Sequence, residues 1–267
     1  MARFKRILLT GANGNLGKVL RTALRGLAEI VRVSDREPLS CEDPKEEIVA
    51  CDLADGKAVT EITRNVDAIV HMGGFSKEGP FEALLAANIQ GFYNLFDAAR
   101  RSGVKRVVWG SSNHAIGFYD RTTVIDSTCL TRPDSLYGVS KVFGEAVAQL
   151  YYEKFALETV SMRIGSCFPK PVDRRMLSTW LSYRDLIHLV DRSLSAPRVG
   201  HLIVYGVSAN DELLWSNVHA SFLGYRPQDN AESYRGEIEG MTSPPSAVEP
   251  AIRFHGGHFA GPGHFED

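Results

Sequence analysis

"RILLTGANGNLGKVLRTALRGLA" (Arg6–Ala28) is the stretch that decides the fold. A short apolar run, Ile7 to Leu9, stops at Thr10-Gly11. From Leu16 onward apolar residues recur at helical spacing through Val19, Leu20, Ala23, Leu24 and Leu27. Between run and helix stand Gly11, Gly14 and Gly17. Glycine is needed where a turn is tight, where backbone must approach a pyrophosphate, and where a helix crosses close to a sheet. The helix start at Asn15 and Leu16 then offers unpaired N–H groups and a positive dipole end to an anion. Glycines are common at any strand-to-helix turn, so the loop alone is a weak signal. Its context strengthens it: the next apolar stretch, "EIVRVSD" (29–35), ends in Asp35, 24 residues beyond Gly11. A carboxylate there can accept both hydroxyls of an adenosine ribose and would repel a 2′-phosphate. Arg36 is either a partner for such a phosphate or a solvated loop charge. The acid at the strand end favours NAD.

The same alternation continues outward. "EEIVACDL" (46–53) reads as a third strand, "GKAVTEITRN" (56–65) as a helix and "VDAIVHMGG" (66–74) as a fourth strand. A long amphipathic helix (81–103) closed by glycine precedes a fifth strand, "VKRVVWGSS" (104–112). A helix over 134–156 and a sixth strand, "LETVSMRIGSC" (157–167), follow. Near-continuous apolar strands separated by helices imply βαβ units and a parallel sheet buried on both faces. The pattern predicts an α/β fold, a doubly wound parallel sheet of the Rossmann type, with a small C-terminal substrate-binding extension. Residues 1–167 read as the NAD-binding part. Residues 168–267 read as a small substrate-binding and C-terminal segment that completes the same domain, its last forty residues an extended, proline-containing tail. Asp52 and Leu53 are placed to flank the adenine, and Met72, Gly73 and Gly74 to let backbone lie against the cofactor.

At 267 residues the chain can bury one substantial core. Acidic and basic residues nearly cancel, 32 against 30, and no polybasic run occurs, which argues against nucleic acid or an anionic membrane as partner. Four scattered cysteines without C-x-x-C spacing fit free thiols in a reducing compartment. The N-terminal apolar run is far shorter than the roughly 7–15 residues of a signal-peptide core. The expectation is a cytoplasmic protein.

Two motifs carry the chemistry. Tyr137 and Lys141 in "LYGVSK" are four apart and share one helix face. A tyrosine, with an ordinary pKa of about 10, is a poor base near neutrality. A lysine ammonium one turn away, with a positive nicotinamide ring, would stabilise the phenolate. Y-x-x-x-K recurs by chance, but less plausibly behind such a glycine loop. Together with "TGANGNLG", "CDLAD", "ANIQGFYNLFDAAR" and the serines ending the fifth strand, the chain from Ile7 to about Val207 resembles the extended short-chain dehydrogenase/reductase family, which includes NAD-dependent epimerases and dehydratases. The resemblance implies hydride transfer at nicotinamide, with Tyr137, Lys141 and Ser112 catalytic. It makes Ser112, 25 residues before the tyrosine, the hydrogen-bond partner of the reacting oxygen, and Asn88 the helix residue that helps place the lysine. Ser111, Ile164 and Cys167, at strand ends, would face the cofactor.

Only 126 residues follow Lys141, too few for a large nucleotide-sugar domain, so the substrate should be small. "SSNH" (111–114) offers Asn113 and His114 beside Ser112, as a polyhydroxylated substrate requires, although a histidine packed under the turn is equally consistent. After the sixth strand, "RRMLSTW" (174–180) brings Arg174 and Arg175. Either is a surface charge or a bidentate ligand for a carboxylate. "SSNH", "YGVSK", "RIGSC", "RRMLSTW" and the C-terminal "RFHGGHF" together resemble the branch of the family that oxidises free hexuronic acids. That resemblance implies galacturonate or glucuronate in its pyranose form, oxidised at C1 by NAD to an aldaro-lactone. Arg175 would hold the carboxylate, and Ser76, Asn113, His114 and Ser166 the ring hydroxyls. It also implies a homo-oligomer. The rivals are a small-substrate sugar epimerase or reductase, and a non-catalytic NAD-sensing protein. Against the latter stands the intact Ser112, Tyr137 and Lys141 set. His255, His258 and His264 could ligate a metal, but they lack acidic or cysteine partners in a fixed frame, and no metal is expected.

Overall fold

The computed structural model describes residues 2–243 and 249–264. The chain begins β1 (Phe4–Thr10), α1 (Asn15–Leu24), β2 (Ala28–Asp35), β3 (Glu46–Ala50), α2 (Gly56–Ile62) and β4 (Ala68–His71). There follow α3 (Phe81–Leu84), a π-helical turn (Leu85–Gln90), α4 (Gly91–Arg101), β5 (Arg106–Ser112), β6 (Ile125–Asp126), α5 (Leu136–Phe155), β7 (Glu158–Ile164) and β8 (Ser166–Cys167). The remainder comprises α6 (Met176–Thr179), β9 (Trp180–Leu181), α7 (Tyr183–Ser195), β10 (His201–Gly206), β11 (Trp215–Ser216), α8 (Arg235–Met241) and α9 (Pro250–Arg253).

Seven strands form one sheet in the order β10-β7-β5-β4-β1-β2-β3, every neighbouring pair parallel. The order reverses between β1 and β4, so a crevice opens there at the carboxyl ends of the strands, where doubly wound sheets bind ligands. The apolar runs of the strands are buried because both faces are covered. On one face Leu20 and Leu24 of α1 pack with Leu186, Leu189 and Leu194 of α7. On the other, Val59, Leu95, Phe96, Val147 and Ala148 from α2, α4 and α5 form a second core.

Several expected boundaries shift, each for a local reason. The strand expected over 157–167 breaks at Gly165, where an added Cβ would lie 2.2 Å from Thr179 O; beyond it Ser166 and Cys167 leave the sheet to pair with Trp180 and Leu181. The third strand stops at Ala50, short of Asp52 and Leu53. The helix expected as continuous over 81–103 contains the π turn, with Asn88 inside it. The tail is not simply extended, since it includes α8 and α9. Of that tail, residues 244–248 and 265–267 lie outside the described residues. The seventh strand, β10, falls within the stretch up to Val207 but is not among the strands expected from the sequence.

Candidate active site

At the switch point lies a cavity of about 800 Å³. Its walls include Gly11, Gly14, Asn15, Leu16 and Gly17 from the first loop, Asp35, Asp52 and Leu53 from the next two strand ends, and Met72, Gly73, Gly74 and Ser76 after β4. Ser111, Ser112, Asn113, His114, Tyr137, Lys141, Ile164 and Cys167 complete it. The loop is shaped by its glycines. Gly11 has φ +70, and a Cβ there would sit 2.5 Å from Gly73 N. At Gly17 a Cβ would lie 2.0 Å from Gly11 O, so α1 crosses against the loop. At Gly14 the nearest atom is Gly11 O at 3.3 Å, leaving the loop crest open to the cavity. The first turn of α1 carries no acid. Its N–H groups and dipole are therefore free for a pyrophosphate. Asp35 stands at the adenosine end, its carboxylate accepting from Asn13 N (2.9 Å) and Glu37 N (3.2 Å). Arg36 is exposed and meets Glu37 at 3.4 Å. Glu37 adds a second negative charge on the cavity wall. This cradle fits a dinucleotide without a 2′-phosphate.

The chemistry lies at the other end, on α5 and the end of β5. Ser135 caps α5 by accepting from Gly138 N at 3.0 Å. Glu78, which the sequence did not flag, accepts from Leu136 N (3.1 Å) and Tyr137 N (2.9 Å). A carboxylate at this helix start is favourable for charge and for the orphan N–H groups, and it fixes the turn that carries Tyr137. Lys141 Nζ donates to Gly110 O at 2.8 Å and lies 5.4 Å from the centre of the Tyr137 ring. Burial pushes the Tyr137 phenol up to about 12; a bond with Ser112 opposes this and the Asp134 charge adds to it. Burial pulls Lys141 down to about 8, opposed by Glu145. Desolvation thus raises the phenol in the chain alone, whereas the expected lowering also calls on the positive nicotinamide ring of bound cofactor.

Asn88, expected to help place the lysine, is not among the residues that line the cavity. Its amide clamps the Phe75 backbone (2.7 and 2.9 Å) and donates to Ser140 Oγ at 2.9 Å, so it ties the loop after β4 to α5. Ser111 turns its hydroxyl away, to Glu145 at 2.7 Å, while Arg163 holds the same carboxylate at 2.8 and 2.9 Å. Ser166 lies between the cavity-lining Gly165 and Cys167, and neither it nor Arg175 is itself among the lining residues. Arg175 donates to Ser166 Oγ at 2.9 Å and to His255 O at 2.8 Å. Its buried Nε has no hydrogen-bond partner, and it forms no ion pair among the described residues. Burial pulls this guanidinium down to about 10, still charged at neutral pH. Arg174 instead meets Glu239 of α8 at 3.3 Å. Between the two arginines, Arg175 alone remains a charge in want of an anion.

The C-terminal "RFHGGHF" folds over this end. The His255 carbonyl also accepts from Asn113 Nδ2 at 3.3 Å. Its imidazole accepts from Trp215 Nε1 at 3.0 Å, and burial, with Arg121 nearby, pulls it down to about 4. Phe259 stacks on His114 with ring centres 4.1 Å apart. No group of three or more His, Cys, Asp or Glu side chains among the described residues is disposed to hold a metal. Asp134 and Glu78 were missed because each acts across a sequence separation that no motif records, while His255 and Phe259 fall in "RFHGGHF" without the roles seen here.

A dinucleotide cradle facing a buried serine and tyrosine and a half-buried lysine defines an oxidoreductase-type site on a doubly wound sheet. The chain belongs to the NAD dependent epimerase/dehydratase family, which it matches over residues 7–188. Within that family it is similar to uronate dehydrogenases. It is 50% identical over 263 residues to uronate dehydrogenase from Pseudomonas putida, covering 98% of each chain. Glucuronic acid dehydrogenase from Chromohalobacter salexigens superposes with TM-score 0.96 at 50% identity, covering 98% of this chain and 99% of that one. A mutant uronate dehydrogenase from Agrobacterium tumefaciens complexed with NAD gives TM-score 0.94 at 49% identity, covering 96% and 97%.

Proposed function

We propose that this protein is an NAD-dependent dehydrogenase that oxidises a free hexuronic acid, galacturonate or glucuronate in its pyranose form, at C1 to the aldaro-lactone. The observation that carries this reading is the pairing of a catalytic-type tyrosine with a buried, unpaired guanidinium. Tyr137 sits on the cavity wall, and Arg175, bonded to Ser166 next to the cavity-lining Cys167, has its Nε unsatisfied. A buried charge without a counter-ion is costly, and a substrate carboxylate supplies the missing partner with bidentate geometry. Bound NAD supplies the hydride acceptor and a positive charge beside the phenol. Tyr137 takes the proton of the anomeric hydroxyl, and Ser112 holds that oxygen. Lys141, anchored by Gly110 O, keeps an ammonium close to the phenol. Ser76, Asn113 and His114 bind ring hydroxyls, and Ser166 supports the carboxylate end through Arg175. Asp35 and Glu37 select NAD over NADP.

The protein acts in the cytoplasm as a homo-oligomer. In support, all four cysteines are free, and α4 and α5 leave Tyr93, Leu150 and Phe155 exposed. No helix among the described residues is long and apolar enough to cross a membrane.

Arg175→Ala tests the carboxylate assignment. Removing one partner of a buried charge pair should lower kcat/KM for the uronate by about 30-fold or more, chiefly through KM. The NAD dissociation constant should not change. Unaltered KM and kcat would refute the role given to Arg175.

A further inference from the structure

Directly behind the substrate end of the cavity, Asp134 is enclosed on all sides. Its side chain is 0% exposed. Its Oδ2 and Oδ1 lie 2.8 and 3.1 Å from His114 Nδ1, and Oδ1 accepts from Ser135 Oγ at 2.9 Å. Two glycines from distant parts of the chain close the seat. A Cβ at Gly117 would fall 1.8 Å from Asp134 Oδ2, and one at Gly256 would fall 1.6 Å from it. The carboxylate can move in neither direction.

We propose that Asp134 is a positioning residue that fixes His114 as a hydrogen-bond acceptor toward one ring hydroxyl of the substrate. This rests on the uronate reading above. A carboxylate only accepts, so the proton between the pair belongs to Nδ1. With that single proton on the ring, Nε2 is presented as a lone pair, the tautomer being set by the bond the other nitrogen makes. Nε2 has no hydrogen-bond partner among the described residues, while the His114 side chain lines the cavity and is 14% exposed. The ring plane is held as firmly as the tautomer. Phe259 stacks on it at 4.1 Å and 20°, Tyr137 meets it edge-on at 5.6 Å, and its backbone N–H donates to Ser112 Oγ at 3.2 Å. The imidazole is thereby an oriented acceptor next to the reacting phenol. A ring hydroxyl donating to it is recognised as a donor, which fluorine cannot replace.

The test combines a spectroscopic and a kinetic arm on the full chain saturated with NAD. Imidazole 15N shifts of His114, assigned by comparison with His114→Gln, should show the proton on Nδ1 in the wild type. In Asp134→Asn the new amide donates to Nδ1 and the proton should move to Nε2. In the kinetic arm, uronates carrying fluorine in place of the 2-, 3- or 4-hydroxyl are compared with the parent. In the wild type one position should lose roughly 10–100-fold in kcat/KM, as expected when a buried acceptor is left unpaired. In Asp134→Asn, with Nε2 now a donor, that penalty should shrink at least tenfold. A wild-type ring protonated on Nε2 or on both nitrogens, or equal fluorine penalties in both proteins, overturns the proposal. If Asp134→Asn does not fold, His114→Ala decides: persistence of the same fluorine penalty there refutes the contact. Absence of turnover with any unmodified uronate, beside a correct Nδ1 tautomer, refutes the substrate reading and the assigned hydroxyl but leaves the Asp134–His114 orientation standing.

Discussion

Tyr137 and Lys141 illustrate how burial and charge compete at single residues. Burial is the largest cause that drives the phenol up to about 12 and the ammonium down to about 8. A protonated phenol takes no proton, so on the proposed reading turnover near neutral pH depends on the Lys141 ammonium and the positive charge of bound NAD to stabilise the phenolate. The sign follows: kcat/KM rises with pH as Tyr137 ionises, and the support from Lys141 weakens once pH passes its own lowered value. Lys141→Met removes a positive charge facing the phenol, and the rising limb of the pH profile should move to higher pH by about 1–3 units. A limb that stays in place would show that Lys141 has no electrostatic role. Gly110 matters at this scale for its backbone, since its carbonyl holds the ammonium.

Two elements are held by carboxylates whose roles no local pattern announces. Glu78 accepts from the first N–H groups of α5 and so sets the turn bearing Tyr137. Glu78→Ala should cost about 1 kcal/mol in stability and speed hydrogen exchange at the Leu136 and Tyr137 amides. Exchange unchanged at those two positions would remove Glu78 from the cap. At the other end of the sheet, Glu46 of β3 ties α1 in place through Arg21 and Arg25, both at 2.6 Å. Burial would raise its carboxyl, but Arg21, the Glu42 backbone N–H and Arg25 hold it down at about 2. A depressed carboxylate stabilises the fold above the ordinary carboxyl range, and that contribution disappears as pH falls through it toward about 2. With side chains of Arg21 and Glu46 only 3% and 0% exposed, Glu46→Gln should cost about 3–5 kcal/mol at pH 7, read from urea unfolding. The gap from the wild type should close on acidification. These elements also mark what the sequence could show. The glycine loop and the Y-x-x-x-K helix were legible because their spacing is local and their chemistry is narrow. The π turn at Asn88 was not, because an added helical residue leaves the apolar period nearly unaltered while redirecting one amide to Phe75 and Ser140.

For the whole molecule, alternating apolar strands and amphipathic helices were enough to anticipate a doubly wound sheet, but not the strand order that opens its crevice between β1 and β4. They were not enough to join the ends of the chain to that crevice. Arg175, Asn113 and His255 meet only because β8 leaves the sheet after Gly165 and the C-terminal segment returns across α5. Contacts spanning 80 and 142 residues carry no periodicity. On the proposed reading the architecture has a cofactor cradle at one end, Tyr137 as proton acceptor in the middle and the Arg175 cation at the far end, which calls for a cyclic hydroxyl to oxidise and a carboxylate across the ring from it. The most direct test is NADH formation by the purified protein with NAD and, separately, galacturonate, glucuronate, galactose and UDP-glucose. Rapid NADH from a uronate, with galactose and UDP-glucose inert, is the predicted result. NADH from galactose as fast as from the uronates, or none from either uronate while NAD remains bound, would contradict it.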